Sequence, residues 1–176
     1  MPQLTQSFAE VQTSLNAKVG WQDFNDLATA STPINLAVGG TFYPLTNDGA
    51  GSFTNTAYKI ADHGLIWDTV ADAFDWSDLA LGDTVDFRLD FTVTVAANTQ
   101  VTTRIALGTG GSAYTLQVDN SFFKSSGTYQ ITKWYSIYMG DTNTLNNGGV
   151  LEVSSDGTND DLVVNGWYVR TTENNV

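Results

Sequence analysis

The residues from 85 to 95 alternate apolar and polar side chains without a break. The apolar members are Val85, Phe87, Leu89, Phe91, Val93 and Val95, and the polar members are Asp86, Arg88, Asp90, Thr92 and Thr94. Side chains alternate along a β-strand, so the pattern predicts a long strand with one dry face and one wet face. Such strands are typical of antiparallel sandwiches and barrels, whereas the strands of parallel α/β enzymes are buried on both faces.

The sequence after Pro33 also has the pattern of β-strands joined by turns. Eight or nine short apolar segments are separated by loops rich in Gly, Asn, Asp and Ser. This spacing is typical of a β-sandwich or jelly roll. We therefore predict an all-β fold, an antiparallel jelly-roll sandwich of about eight strands, over residues 31–176.

The N-terminal segment has a different pattern. Leu4, Phe8, Val11 and Leu15 are spaced four, three and four residues apart, which places them on one face of a helix. Gly20 is placed to end that helix, and Trp21, Phe24 and Leu27 repeat a short helical spacing. The pattern predicts a helical arm or anchor over residues 1–30. Its apolar stripe can pack on the domain itself, on copies of itself or on another protein.

The charge and composition exclude several classes of partner. Seven basic residues stand against 19 acidic ones, a net charge of −12. Affinity for nucleic acid comes largely from basic residues, so we expect no nucleic-acid partner. No stretch approaches the roughly 20 apolar residues of a membrane span, so we expect no membrane insertion. The chain has no cysteine, which excludes disulfides and thiolate metal sites.

The irregular stretch from residue 61 to residue 83 is rich in aspartate and tryptophan. Trp67 and Trp76 beside Asp68 suggest a sugar site, because aromatic platforms next to carboxylates often bind sugars. Alternatively, Trp67, Phe74, Trp76 and Leu79 fill one end of the sandwich core, and the aspartates belong to turns. We favour the second interpretation. His63, the only histidine, belongs to no recognised zinc or triad motif.

The remaining polar clusters do not form a convincing catalytic constellation. Asp86, Arg88 and Asp90 share the wet face of one strand and predict a solvated ion-pair ladder. The acidic loop at residues 156–161 lacks the spacing of an EF-hand and predicts a plain turn. We therefore predict no catalytic residues, no metal site, no cofactor and no enzymatic activity.

The segment from residue 128 to residue 139 carries aromatic side chains on both faces of its predicted strand. Trp134 and Tyr138 lie opposite the face that holds Ile131 and Ile137, and the neighbours Trp167 and Tyr168 also point to opposite sides. Aromatic residues are enriched in subunit interfaces. We predict a trimer interface formed by Trp134, Tyr138, Trp167 and Tyr168, with cover from a loop or from the N-terminal helix as the alternative.

Five segments together resemble the small jelly-roll proteins of tailed-phage virions, whose fold is tumour-necrosis-factor-like and usually trimeric. They are residues 30–36 (ASTPINL), 45–49 (LTNDG), 81–90 (LGDTVDFRLD), 134–138 (WYSIY) and 166–169 (GWYV). The resemblance implies a homotrimeric capsid decoration, or cement, protein that binds the major capsid protein or another virion protein. It would be made in the host cytoplasm and lie on the particle surface, with Leu4, Phe8, Val11 and Leu15 as the anchor. The alternative is a receptor- or glycan-binding head of a phage fibre, with a host-surface glycan as its ligand.

Overall fold

Eleven strands and two short helices account for most of the computed structural model, which describes residues 19–174 except the side chains of residues 112, 117 and 118. The strands are β1 (Val19–Asn25), β2 (Ile34–Leu36), β3 (Tyr43–Pro44), β4 (Trp67–Asp68), β5 (Ala73–Phe74), β6 (Thr84–Val95), β7 (Thr99–Leu107), β8 (Tyr114–Phe123), β9 (Gly127–Tyr138), β10 (Gly149–Ser155) and β11 (Asp160–Thr172). The helices are α1 (Ala28–Ser31) and α2 (Thr142–Asn147), and a 3-10 turn spans Gly110–Ser112.

The strands form two antiparallel sheets. The front sheet has the order β1-β11-β6-β9, with β2 pairing β11 further along the edge that β1 occupies. The back sheet has the order β4-β5-β10-β7-β8, with β3 pairing β10. Consecutive long strands such as β6 and β7 belong to different sheets. The predicted all-β jelly-roll sandwich is confirmed.

The core lies between the sheets, and β6 contributes most to it from the front. All six apolar residues of its alternating pattern are buried, while its polar residues face outward. The opposite wall comes from β7 and β10, whose alternate residues Val101, Ile105, Leu151 and Val153 are buried against it. Full burial of one such side chain contributes about 1.5–3 kcal/mol. The dry face predicted for residues 85–95 is therefore the centre of the fold.

The helical prediction for Trp21 and Phe24 is wrong, because both residues lie in strand β1. Each residue of β1 pairs with β11, from Val19 opposite Thr172 to Asn25 opposite Gly166. Its buried positions are Gly20, Gln22 and Phe24, so Trp21 lies on the outward face, together with Val19, Asp23 and Asn25. The Gln22 side chain is buried because its Oε1 accepts the Ile66 amide at 3.3 Å and its Nε2 donates to the Gly64 carbonyl at 3.4 Å. Because a polar glutamine is buried and the neighbouring tryptophan faces outward, the sequence of β1 lacks the apolar–polar alternation expected of a half-buried strand.

Gly148 ends α2 and offers a sharp stability test. Its φ is +69°, and a Cβ built on it would fall on the backbone carbonyl oxygen of Phe74. Gly40 has a similar φ of +76° but open space around it. We expect Gly40→Ala to cost about 1 kcal/mol for the left-handed backbone alone, and Gly148→Ala to cost roughly 3 kcal/mol because overpacking is added. Urea unfolding of both variants measures the difference, and equal losses would contradict the close approach of Gly148 to β5.

Candidate functional site

One side of the sandwich presents two uncovered strand edges. Among residues 19–174, strand β9 pairs only with β6 at the end of the front sheet, and β8 pairs only with β7 at the end of the back sheet. The opposite end of the front sheet is covered: Trp21 N donates to Tyr58 O at 2.9 Å, and Asp23 exchanges two 2.8 Å backbone bonds with Asn55. Long strand edges without such cover are ready surfaces for association.

An apolar cleft, the edge cleft, opens between β8 and β9. It is lined chiefly by Leu107, Tyr114, Leu116, Ile137 and Tyr138, and its volume is about 420 Å³. Tyr114 is 56% exposed and Tyr138 is 69% exposed, so both rings present large apolar surfaces to solvent at its mouth. The N-terminus of α2 closes one end, where Asp141 caps the helix by accepting the Thr144 amide at 2.9 Å.

An ion pair between Lys133 of β9 and Asp119 of β8 joins the two edges elsewhere along the same side. The hydrogen bond from Lys133 holds the pKa of Asp119 below its usual range, despite the opposing effect of burial. Charges that point inward from an edge strand oppose continuous strand pairing with another chain. Association at this side would therefore involve side-chain packing in the edge cleft and not the addition of a strand.

The outer face of the front sheet carries a second cluster, centred on Arg88. Tyr168, Arg88 and Trp134 are direct cross-strand neighbours on β11, β6 and β9. The Arg88 guanidinium carbon lies 5.8 Å from the Tyr168 ring centroid and 5.9 Å from that of Trp134, which is cation–π distance. The two rings are 6.4 Å apart with planes inclined by 56°, so they form an open V.

The predicted ion-pair ladder is present around Arg88. Arg88 Nε donates to Asp90 Oδ2 at 2.7 Å, and its Nη2 lies 3.7 Å from Asp23 Oδ2. Burial raises the pKa of Asp23, Arg88 acts against that rise, and Asp90 adds to it. The charge of Arg88 is therefore already shared between two carboxylates. The ladder and the outward aromatic rings lie on one face of the sheet.

The next cross-strand row completes a shallow depression, the aromatic trough. Its members are Trp134, Tyr168, Asp86, Ser136 and Arg170. Arg170, Asp86 and Ser136 are direct cross-strand neighbours, and the Ser136 hydroxyl donates to Asp86 Oδ1. Arg170 is exposed, and its guanidinium makes no ion pair or hydrogen bond with any residue in the range 19–174. The trough thus combines two aromatic rings with a hydroxyl, a carboxylate and an uncommitted guanidinium.

The structure separates the four residues predicted for the trimer interface. Trp134 is 62% exposed, Tyr138 lies at the edge cleft, and Tyr168 is half-buried in the trough. Trp167 is fully buried, with its ring centroid 4.5 Å from that of Trp67. Its inclusion in a surface interface is wrong, because the residue faces the core on β11. The predicted anchor residues Leu4, Phe8, Val11 and Leu15 lie outside the described residues.

The sugar site predicted from Trp67, Trp76 and Asp68 is not formed by those residues. Trp67 is 1% exposed and Trp76 is fully buried, so neither ring can stack on a sugar. Both belong to the core together with Phe74 and Leu79, as the preferred interpretation of this stretch predicts. Asp68 caps a turn, and its Oδ1 accepts the amides of Val70 at 2.8 Å and Ala71 at 3.1 Å.

Arg170 and Ser136 were not singled out from the sequence, although a signal for them exists. Each stands two positions after an outward aromatic residue, Tyr168 and Trp134 respectively. Residues two apart on a strand share a face. The sequence of each strand therefore indicates that Arg170 shares a face with Tyr168 and that Ser136 shares a face with Trp134. The cross-strand register that brings Arg170 and Ser136 into one row has no such signal.

The histidine that the sequence offers as a candidate catalytic or metal-binding residue makes a structural contact. His63 Nε2 forms an ion pair with Glu173 at 2.8 Å when the imidazole is protonated. Within the part of the chain that the structure describes, no three His, Asp or Glu side chains are grouped to hold a metal ion. No helix in that part is both long and apolar enough to span a bilayer.

Comparisons with known proteins give similarity only at the level of fold. No protein-family model matches the chain, and no curated protein matches its sequence. The Eiger tumour-necrosis-factor protein of S. frugiperda is similar over 90% of this chain and 95% of its own, at 6% identity and a TM-score of 0.47. A chain of infectious bursal disease virus, Gx strain, is similar over 89% of this chain, at 12% identity and a TM-score of 0.46.

A xylan-binding domain from Paenibacillus barcinonensis is similar over 58% of this chain, at 11% identity and a TM-score of 0.39. The matched regions span 65% of that domain and 32% of the viral chain. At identities this low and TM-scores below 0.5, none of the three proteins indicates what this chain binds or does.

Proposed function

We propose that this chain is a non-enzymatic structural protein of a virus particle, which assembles with itself and decorates the capsid of a tailed phage. The observation that carries self-assembly is the pair of free edges at β8 and β9, with the exposed edge cleft between them. The resemblance of five sequence segments to virion jelly-roll proteins supports the viral location and the trimeric state.

The edge cleft suits a contact between copies better than it suits a catalytic site. Its lining is mostly aliphatic and aromatic, and the nearby Asp141 is committed to capping α2. Apolar residues at the centre of a contact, with polar residues at the rim, are the usual anatomy of a protein interface. A closed ring of three copies repeats one such contact three times, so modest contacts add up.

Attachment to the capsid is assigned to residues 1–18. They carry the apolar stripe of Leu4, Phe8, Val11 and Leu15, and they precede the first strand of the front sheet. The partner we propose is the major capsid protein or another virion protein. In this proposal the jelly roll projects from the particle, while the stripe contacts the shell or a neighbouring subunit.

Self-association is tested by placing a charge in the edge cleft. We expect Tyr138→Glu to convert a trimer of 19.0 kDa chains into monomers, because a carboxylate buried in an apolar contact without a partner costs several kcal/mol. Light scattering coupled to size exclusion at micromolar concentration measures the mass. Val70→Glu is the matched control, since Val70 is 92% exposed in a loop.

Because Tyr138 is 69% exposed, we expect Tyr138→Glu to leave the fold intact, and circular dichroism checks this directly. A wild-type chain that is monomeric at micromolar concentration removes the trimer from the proposal. A Tyr138→Glu variant that stays trimeric removes the edge cleft as the contact.

A further inference from the structure

The aromatic trough has the composition of a ligand site and no occupant from its own chain among the described residues. Trp134 and Tyr168 line it side by side, with ring centroids 6.4 Å apart and the Arg88 guanidinium against both rings. Asp86 and Ser136 lie beside each other next to these rings, and Arg170 borders the depression. Trp134, which is 62% exposed, therefore presents its indole ring next to hydrogen-bonding groups, while Tyr168 is half-buried.

We propose that the aromatic trough binds one pyranose unit of a neutral saccharide. A pyranose has apolar C–H faces that can pack on aromatic rings, and hydroxyl groups around its edge. In the trough, the exposed ring of Trp134 would pack on one of those faces, beside Tyr168. The Asp86 carboxylate, which bonds Ser136 through one oxygen, can accept sugar hydroxyl protons, and the five N–H donors of Arg170 can bond sugar oxygens.

The local and overall charges favour a neutral sugar over an acidic one. Arg88 is more than offset by the two carboxylates of Asp90 and Asp23, and in the trough itself Asp86 offsets Arg170. The site is therefore close to neutral, whereas the chain as a whole carries −12. An anionic glycan would meet general repulsion on approach and a carboxylate at the base of the site. A neutral pyranose meets neither obstacle.

The trough is distinct from the edge cleft used in the proposed function. Tyr168 lies on the inner strand β11 and Trp134 on the edge strand β9, four residues before Tyr138, whose ring lies at the cleft mouth close to Gly140. Ser136 borders both depressions, but the rings that line the two are different. Arg170 and Ser136 are exposed, as a site for an external ligand requires. Saccharide binding therefore does not depend on the trimer, and the two can fail separately.

The experiment is affinity electrophoresis of the full chain through gels that contain dextran, galactomannan or arabinoxylan, with polygalacturonic acid as the anionic comparison. We expect retardation by at least one neutral polysaccharide and none by polygalacturonic acid. Oligosaccharides of the retarding polymer are then titrated while tryptophan fluorescence is followed. Trp134 is the most exposed of the five tryptophans, so its emission should report binding.

Substitutions locate the site. We expect Trp134→Ala to weaken binding at least 10-fold, because it removes the most exposed aromatic surface of the trough. Arg170→Ala should weaken it several-fold, and Trp134→Phe should retain part of it. Phe122→Ala is the control, since Phe122 is equally exposed, at 62%, on β8. Tyr138→Glu should leave the affinity of each oligosaccharide unchanged.

Three results would overturn the inference. They are the absence of retardation by all three neutral polymers, unchanged affinity in Trp134→Ala, and preferential binding of polygalacturonic acid. A shift of Trp134→Ala from trimer to monomer would also overturn it, because the trough would then be a contact between copies.

Discussion

Replacing Trp167 with alanine is expected to lower the free energy of unfolding by about 3–5 kcal/mol, the usual range for a large buried aromatic side chain. The same substitution at Trp134 is expected to cost less than about 1 kcal/mol, as at most exposed positions. The pair removes the same atoms from two strands of the front sheet, β11 and β9. The difference between the two variants therefore measures burial and not residue type.

The surroundings of Trp167 explain the size of its effect. Its ring meets that of Trp67 edge to face, with centroids 4.5 Å apart and planes at 75°, and the Phe74 ring lies 6.1 Å away. Phe74 in turn stacks on Trp76 at 5.0 Å. Removing Trp167 would leave a cavity beside rings that are fixed on β4 and β5. Because these rings cannot move far, the surrounding side chains would fill little of the cavity. Trp134 has no such neighbours on its exposed side.

Urea unfolding followed by circular dichroism measures both variants, with unchanged m-values as the sign that only stability has changed. The measurements are made at several protein concentrations, because association stabilises the folded state by mass action. A loss in Trp134→Ala as large as that in Trp167→Ala, and dependent on concentration, would show that Trp134 is buried between copies.

The part of the fold set by strict alternation was predictable from the sequence. Residues 85–95 specify which face of β6 is dry, because a one-residue slip would expose every apolar side chain. The edge position of β9 could be suspected from Trp134 and Tyr138, which stand on the face opposite Ile131 and Ile137. Register between strands distant in sequence, such as that joining Arg170 to Asp86, has no local signal.

The wrong assignment of β1 and the two interpretations of Trp67 have one physical cause: residues whose burial depends on distant backbone. Gln22 is buried because it serves the amide and carbonyl groups of the segment at Gly64 and Ile66, so β1 looks non-periodic. Trp67 is buried because its Nε1 donates to the Asn47 carbonyl at 2.8 Å, which lets an amphipathic ring enter the core. The backbone groups that Gln22 and Trp67 bond are far away in the sequence. A tryptophan in an irregular segment is therefore compatible with either a core position or a binding platform.

A chain that begins at Val19 is expected to fold and self-associate like the full chain but to lose binding to the capsid. A chain that begins at Ser31 is expected not to fold. The first change removes the stripe of Leu4, Phe8, Val11 and Leu15 and leaves every described strand in place. The second also removes β1, which pairs with β11 over seven residues and buries Phe24 in the core.

Deleting β1 would expose both the edge of β11 and the backbone groups that Gln22 bonds at Gly64 and Ile66. Unpaired buried polar groups cost about 1–3 kcal/mol each, and the lost apolar contacts of Phe24 add about 3–5 kcal/mol. The sum approaches the whole stability of an ordinary domain, about 5–15 kcal/mol. Circular dichroism and light scattering should therefore separate the two truncated chains before any binding is measured.

Binding is then followed by co-sedimentation with phage particles that lack this protein, comparing the full chain with the chain that begins at Val19. We expect the full chain to sediment with the particles and the shortened chain to stay in solution as a trimer. Charge substitutions on the stripe, such as Phe8→Glu and Val11→Glu, should reproduce the loss without shortening the chain. If the chain that begins at Val19 binds and stabilises particles as well as the full chain, the stripe is not the anchor, and the contact with the shell must be sought on the jelly roll itself.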